Sequence, residues 1–226
     1  MKKLTARQKI LFGVWAMIPT ILGDYLLGIN AFRFSNAPEA YKGMLFAPVA
    51  DWRLALSALL GVASVALFAI GAVELLRVME RKYVLGGEKL FRMFQIANWS
   101  AILFFAFLHV SFCILLLVRN AGMAATGNPN AATDIMLRVA KGIIVPHAIA
   151  FLLCDGLVTV SWIGMVVKGM LPLKKLALIC NPLTIFFLGG GQDMILGGMY
   201  SNGYESLGWL LMYLVCAAKL VDARER

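Results

Sequence analysis

The chain of 226 residues is 61% apolar and carries a formal net charge of +9. Its mean hydropathy of +0.82 is far above that of a soluble domain, so the composition excludes a water-soluble globular protein. Several apolar runs are long enough to cross a hydrocarbon core of about 30 Å. We therefore predict one integral membrane domain that covers residues 1–226.

Six apolar runs predict the membrane-spanning segments, and they indicate an all-α, polytopic protein built as a six-helix transmembrane bundle. The loops that separate these runs leave no room for a soluble domain. The predicted spans, in chain order, cover residues 10–32, 54–78, 94–118, 143–167, 176–196 and 206–221.

The basic residues are unevenly distributed over the segments that flank these spans. Fifteen of the 21 lysine and arginine residues lie before the first span, at the end of or after the second, after the fourth, or at the end of or after the sixth. Because cytoplasmic loops are enriched in basic residues, this asymmetry predicts a protein of the bacterial cytoplasmic membrane with both termini in the cytoplasm. The charge is therefore a topology signal, and it does not indicate binding to nucleic acid.

Five ionisable residues inside the predicted spans are the candidates for a functional site: Asp24, His109, His147, Asp155 and Asp193. A charged group in hydrocarbon is costly unless it is paired or hydrated, so such residues commonly mark a site. The helical rise of about 1.5 Å per residue places all five in the outer half of the membrane. We expect them to face one polar cavity.

The second and third predicted spans each have a distinctive face. In the third, Asn98 and His109 lie on one polar face, because eleven residues advance a helix by about three turns. In the second, small residues recur every three or four positions, which predicts close helix packing: Ser57, Gly61, Ser64 and Gly71.

The fourth predicted span places a histidine and a carboxylate on one face. His147, Phe151 and Asp155 follow each other at intervals of four residues, and Thr159 lies one turn further. His147 and Asp155 are about 12 Å apart along such a helix, too far to bond directly but suited to line one cavity. Pro146 weakens the helix at this point, because it removes a backbone hydrogen bond.

The fifth predicted span is rich in glycine, which disfavours a rigid helix interior. It begins with Asn181-Pro182 and continues into Gly189-Gly190-Gly191-Gln192-Asp193. The composition predicts a broken or glycine-rich helix, and two interpretations are open. The glycine run forms either a re-entrant segment that borders the cavity or an outer loop, from Gly189 to Asn202, after a short helix.

These residues indicate a cavity that binds, and in one hypothesis hydrolyses, a membrane lipid or another amphiphilic small molecule. Asp24 and Asp155 would be the general acid and base, with His109 and His147 orienting water or substrate. The sequence has no G-x-S-x-G motif, which disfavours a serine nucleophile. It has no tight metal-ligand spacing either, and we expect neither metal nor cofactor. Further ligand contacts are expected from Asn98, Thr159, Asn181, Gln192 and Asp193.

Two other classes of function are open. The stretch from Pro19 to Gly28 is similar to that from Thr184 to Gly197, since each has an aspartate before two apolar residues. Parallel repeats of this kind occur in transporters, which favours a small proton-coupled transporter. The third class is a non-catalytic binding or assembly subunit. Six helices are few for a carrier, so we expect a homodimer in either case.

Two resemblances to known families add to these predictions. The stretch Gly23-Asp24-Tyr25-Leu26-Leu27-Gly28, His109 in its Phe-Leu-His context, Leu171-Pro172-Leu173 and Asn181-Pro182 resemble an uncharacterised family of small six-helix bacterial membrane proteins. That resemblance implies a fold but no activity. Gly23-Asp24 after Pro19, together with Cys154-Asp155-Gly156-Leu157, is similar to lysoplasmalogenase-type membrane hydrolases. This second resemblance implies a lipid hydrolase.

Overall fold

The structure is a computed structural model, and it describes residues 3–28, 49–84, 88–196 and 203–221. Within these ranges the secondary structure is helical and contains no β-strand, which confirms the all-α prediction. The described elements are α1 (Ala6–Gly28), α2 (Asp51–Lys82), α3 (Glu88–Thr126), α4 (Pro129–Phe151), a π-helical segment (Leu152–Gly156), α5 (Leu157–Val167), a 3-10 helix (Lys175–Ile179), α6 (Pro182–Leu196) and α7 (Tyr204–Lys219).

Four helical stretches of the described chain are long and apolar enough to cross a membrane, as expected of a membrane protein: Ala6–Leu27, Asp51–Lys82, Lys89–Thr126 and Pro129–Val167. They correspond to the first four predicted spans, although residues 29–32 of the first lie outside the described residues. The fourth stretch begins at Pro129 instead of residue 143, and it includes α4, the π-helical segment and α5. Helices α6 and α7 are shorter, with 15 and 16 residues.

Asparagine-proline pairs begin two of the helices. The Asn128 side chain accepts a hydrogen bond from the Asn130 N–H at 2.9 Å, and the Asn181 side chain accepts one from the Thr184 N–H at 3.0 Å. In both helices proline occupies the first position, where the missing N–H has no intrahelical partner to lose. Asn181, predicted as a ligand contact, therefore caps α6.

The glycine run does not break the fifth predicted span within the described residues, so the predicted break is wrong there. Helix α6 continues through all three glycines to Leu196. Gly189 lies against the ring of Tyr204, where a Cβ atom would collide with it, so the missing side chain lets α6 and α7 pack closely. The side chains of Gln192 and Asp193, and residues 197–202, lie outside the described part of the chain.

The irregular turn lies in the fourth span, at the π-helical segment between α4 and α5. Helix α4 passes through Pro146 without a break and becomes π-helical six residues later, at Leu152. A π-helical turn inserts one residue into the helical repeat and occurs frequently at functional sites. Asp155, one of the predicted site residues, lies in this turn and is 4% exposed.

The small-residue stripe of the second span is buried, as predicted. Helix α1 packs along α2, and the Cα atom of Gly71 faces the backbone of Gly13 with no space for a side chain between them. An aromatic cluster fills the adjoining core, in which the ring of Phe68 contacts the rings of Phe105, Trp209 and Tyr213 at centroid distances of 4.9, 5.4 and 5.4 Å. This packing holds α1, α2, α3 and α7 together.

The contact between α1 and α2 predicts a strong effect of one added methyl group. Gly71→Ala should lower the free energy of unfolding by about 1–3 kcal/mol, because the new Cβ would meet the backbone of Gly13, which cannot rotate away. Thermal unfolding of the purified protein in detergent measures this. The matched control is Gly142→Ala in α4, where nothing lies within 4 Å of the new Cβ. Equal melting temperatures for the two variants would contradict the predicted contact.

Candidate functional site

A cavity of about 390 Å³ lies between the helices, and α1, α2, α3, α4, the π-helical segment, α6 and α7 contribute to its lining. Four of the five predicted ionisable residues line it: Asp24, His109, His147 and Asp155. Glu205 and Ser206 of α7 add two polar groups. The rest of the wall is largely apolar and includes Met17, Leu27, Phe105, Leu108, Phe112, Leu115, Leu116, Met136, Phe151, Phe186 and Trp209.

Asp24 of α1 and His109 of α3 bond directly to each other. The Nδ1 atom of His109 lies 3.1 Å from Oδ1 of Asp24, and the two side chains are only 7% and 16% exposed. The other carboxylate oxygen of Asp24, Oδ2, accepts a hydrogen bond from the Ser206 hydroxyl at 2.8 Å. Both oxygens of Asp24 therefore have a partner within the protein.

The second nitrogen of His109 bonds to Ser57 of α2. Nε2 lies 2.9 Å from the Ser57 hydroxyl oxygen and 3.0 Å from the Ser57 carbonyl oxygen. The Ser57 hydroxyl donates its own proton to the carbonyl of Gly23 at 2.9 Å. Both neighbours of Nε2 therefore accept, which requires a proton on Nε2. A second proton lies between Nδ1 and Asp24, so the Asp24–His109 pair is neutral as a whole.

Hydrogen bonds link Ser57, His109 and Asp24 in the order of a Ser-His-Asp triad. However, the histidine donates to the serine here, which is the opposite of the direction in a nucleophilic centre. In acyl transfer the histidine Nε2 accepts the serine proton. Here Nε2 donates, and Ser57 is completely buried. The arrangement therefore orients His109 and does not activate a serine, in agreement with the missing G-x-S-x-G motif.

Two residues without a side chain make room for the imidazole of His109. A Cβ atom on Gly61 of α2 would collide with the ring, and one on Gly23 of α1 would lie 3.0 Å from Nε2. The small-residue stripe of α2 thus has a second role beside helix packing, since Ser57 and Gly61 both contact His109. Sequence reasoning assigned the stripe to packing alone and so missed this contact.

His147 of α4 lines the cavity in an aromatic setting. Its Nδ1 atom is 3.0 Å from the Ser111 hydroxyl, which in turn donates to the Leu108 carbonyl at 3.0 Å. The ring of Phe112 meets the imidazole edge to face, with 5.0 Å between centroids. Nε2 of His147 has no hydrogen-bond partner among the described residues.

Asp155 and Glu205 are the two carboxyl groups of the cavity that keep free acceptor oxygens. The indole N–H of Trp209 donates to Oδ1 of Asp155 at 2.7 Å, whereas Oδ2 has no partner in the described chain. Glu205 is half-buried, and its carboxylate bonds to no other described residue. Sequence reasoning missed Glu205 because it precedes the predicted span at residues 206–221 by one position.

Three predicted ligand contacts use their polar atoms elsewhere. Asn98 accepts a hydrogen bond from the Tyr213 hydroxyl at 2.7 Å, and Thr159 accepts one from the Leu183 N–H at 3.3 Å. Asn181 caps α6, as described above. These bonds join helices or begin them. No group of three His, Cys, Asp or Glu residues in the described ranges is arranged to hold a metal ion.

The buried Asp24–His109 pair predicts energetic coupling between its two side chains. Asp24→Asn and His109→Leu should each destabilise the protein, and the double variant should lose less than the sum by about 1 kcal/mol or more, because each single change leaves one partner unsatisfied. Denaturation in mixed micelles measures the free energy of unfolding of the native protein and the three variants, which together form a double-mutant cycle. The same cycle between Asp24→Asn and Ser111→Ala should be additive, because the Ser111 hydroxyl bonds to His147 and Leu108 and shares no partner with Asp24. Additivity in both cycles would contradict a direct pair.

Comparison with known proteins adds a family but no activity. No curated protein and no solved structure matches the chain. The resemblance to lysoplasmalogenase-type hydrolases therefore finds no support there. A family model, described as a family of unknown function (DUF6796), matches residues 1–223 and confirms the first resemblance. The chain belongs to this family of unknown function, DUF6796.

Proposed function

We propose that the chain is a multi-pass membrane protein that binds a lipid-like or amphiphilic small molecule in the cavity. The observation that carries this proposal is the composition of the cavity wall, where aliphatic and aromatic side chains surround a few polar groups. A volume of about 390 Å³ lies in the range of small-molecule sites, and such sites usually combine an apolar lining with a few placed polar groups. An amphiphile likewise combines an apolar part with a polar headgroup.

The proposal extends to a six-span topology in the bacterial cytoplasmic membrane, with α6 and α7 as the fifth and sixth spans. The distribution of basic residues supports cytoplasmic termini. In that orientation, Asp24 near the end of α1 and Glu205 at the start of α7 lie towards the extracytoplasmic surface. The cavity is then loaded from the outer half of the bilayer.

This orientation predicts opposite labelling of two loop positions. In a background without cysteine, Asn130→Cys at the start of α4 should react with a membrane-impermeant maleimide in intact cells. Lys174→Cys, between α5 and α6, should react only after permeabilisation, because it lies on the basic, cytoplasmic side. Labelling is read by gel shift. The reverse pattern would rule out the proposed orientation.

The proposed binding of an amphiphile in the cavity predicts that a bulky side chain placed there displaces the ligand. Monooctanoylglycerol, a neutral amphiphile, should bind at one molecule per chain in neutral nanodiscs, and Leu115→Trp should weaken its binding by about tenfold, because the indole occupies the space of the acyl chain. Native mass spectrometry across a concentration series measures the bound fraction. The control is Leu103→Trp on the same helix, where the native side chain is 70% exposed.

The controls separate binding in the cavity from partitioning into lipid. Equal affinity in Leu115→Trp and in the native protein, or no saturable binding at all, would overturn the proposal. The same incubations separate a binding protein from a hydrolase, because ester hydrolysis releases octanoate and glycerol. Hydrolysis is supported if octanoate appears in the native protein but not in Asp155→Asn, and it is rejected if neither releases octanoate.

A further inference from the structure

In the part of the chain that the structure describes, the charges that line the cavity are of one sign once the Asp24–His109 pair is set aside. Among the described lining residues, the ionisable side chains are three carboxyl groups and two imidazoles, with no lysine or arginine. Asp24 and His109 neutralise each other and satisfy each other's hydrogen bonds. Asp155 and Glu205 are left as two acidic groups without a lysine or arginine partner among the described lining residues.

The free hydrogen-bonding atoms that the described residues present to the cavity are all acceptors. Oδ2 of Asp155 is unpaired within the described chain although the residue is 4% exposed, and Glu205 bonds to no other described residue. His147 adds a third acceptor: the Ser111 hydroxyl donates to Leu108, so Nδ1 carries the proton and Nε2 has a lone pair. All three groups need a donor.

The structure therefore assigns a cationic amphiphile to this site, with an ammonium headgroup at Asp155 and Glu205 and an aliphatic or aromatic tail along the apolar wall. This inference rests on the proposed function, since it takes the cavity as the binding site. An ammonium group carries donors only and bonds strongly to carboxylates, whereas an anionic or acceptor-only headgroup would leave a buried carboxylate unsatisfied.

The aromatic wall is compatible with the same headgroup. Trp209 donates its N–H to Asp155, which holds the indole beside the carboxylate, and its ring lines the cavity. Cations are attracted to the faces of aromatic rings, and to tryptophan most strongly. A metal ion is a poorer occupant, because the described residues provide no group of three ligands for one.

The test compares three amphiphiles with the same octyl chain and different charge. Octylammonium, monooctanoylglycerol and octyl sulfate are titrated below their micelle concentrations against the native protein in neutral nanodiscs. We expect octylammonium to bind about tenfold more tightly than the neutral compound, and octyl sulfate to bind most weakly. Glu205→Gln should remove most of the preference for octylammonium, so that the affinity for octylammonium falls about tenfold relative to that for monooctanoylglycerol.

The controls separate this inference from the proposed function. Glu80→Gln removes an exposed acid of α2 outside the cavity and should leave all three affinities unchanged. Glu205→Gln is the deciding variant, because the native Glu205 carboxylate has no described partner to lose. Equal affinities for the three compounds, with Leu115→Trp still blocking them, overturn the cationic ligand but leave the binding function. Absence of saturable binding for all three overturns both.

Discussion

The bond between Asp24 and His109 organises the polar half of this protein. It joins α1 to α3, and its outer partners extend the connection to α2 through Ser57 and to α7 through Ser206. A carboxylate and an imidazole in an apolar environment are costly alone, but they compensate each other when they share a proton and when their remaining atoms are bonded. Four helices are therefore held in one arrangement by a single polar network.

That network divides the titratable groups of the cavity into two sets. Asp24 and His109 have all their polar atoms bonded within the protein, so they hold α1, α2, α3 and α7 in position. Asp155, Glu205 and His147 keep acceptor atoms that no other described residue uses, and we propose these groups as the ones that meet a ligand. One hypothesis from the sequence makes Asp24 and Asp155 the general acid and base, so that both carboxyl groups take part in the reaction. The geometry leaves Oδ2 of Asp155 without a hydrogen-bond partner in the described chain, and it places Glu205 in the same lining.

The π-helical segment between α4 and α5 lies beside the same cavity. The π-helical segment lies in the middle of a long apolar stretch, and it carries Asp155. Irregular helical backbone at membrane depth is tolerated where it is enclosed by protein or borders a cavity. The glycine run of α6, which predicted such an irregularity, is helical instead, because tight packing against Tyr204 compensates for the low helix propensity of glycine.

The sequence alone determined the membrane class, the first four long helices and the polar residues inside them, because hydropathy and periodicity are local properties of the chain. The tertiary structure decided which polar atoms meet. Asp24 and Ser206 are 182 positions apart, and Ser57 and His109 are 52 apart, so no local pattern links them. Two features depend on how distant helices approach each other. One is the bond of Ser57, which belongs to a stripe typical of packing, to His109; the other is the place of Glu205 in the cavity.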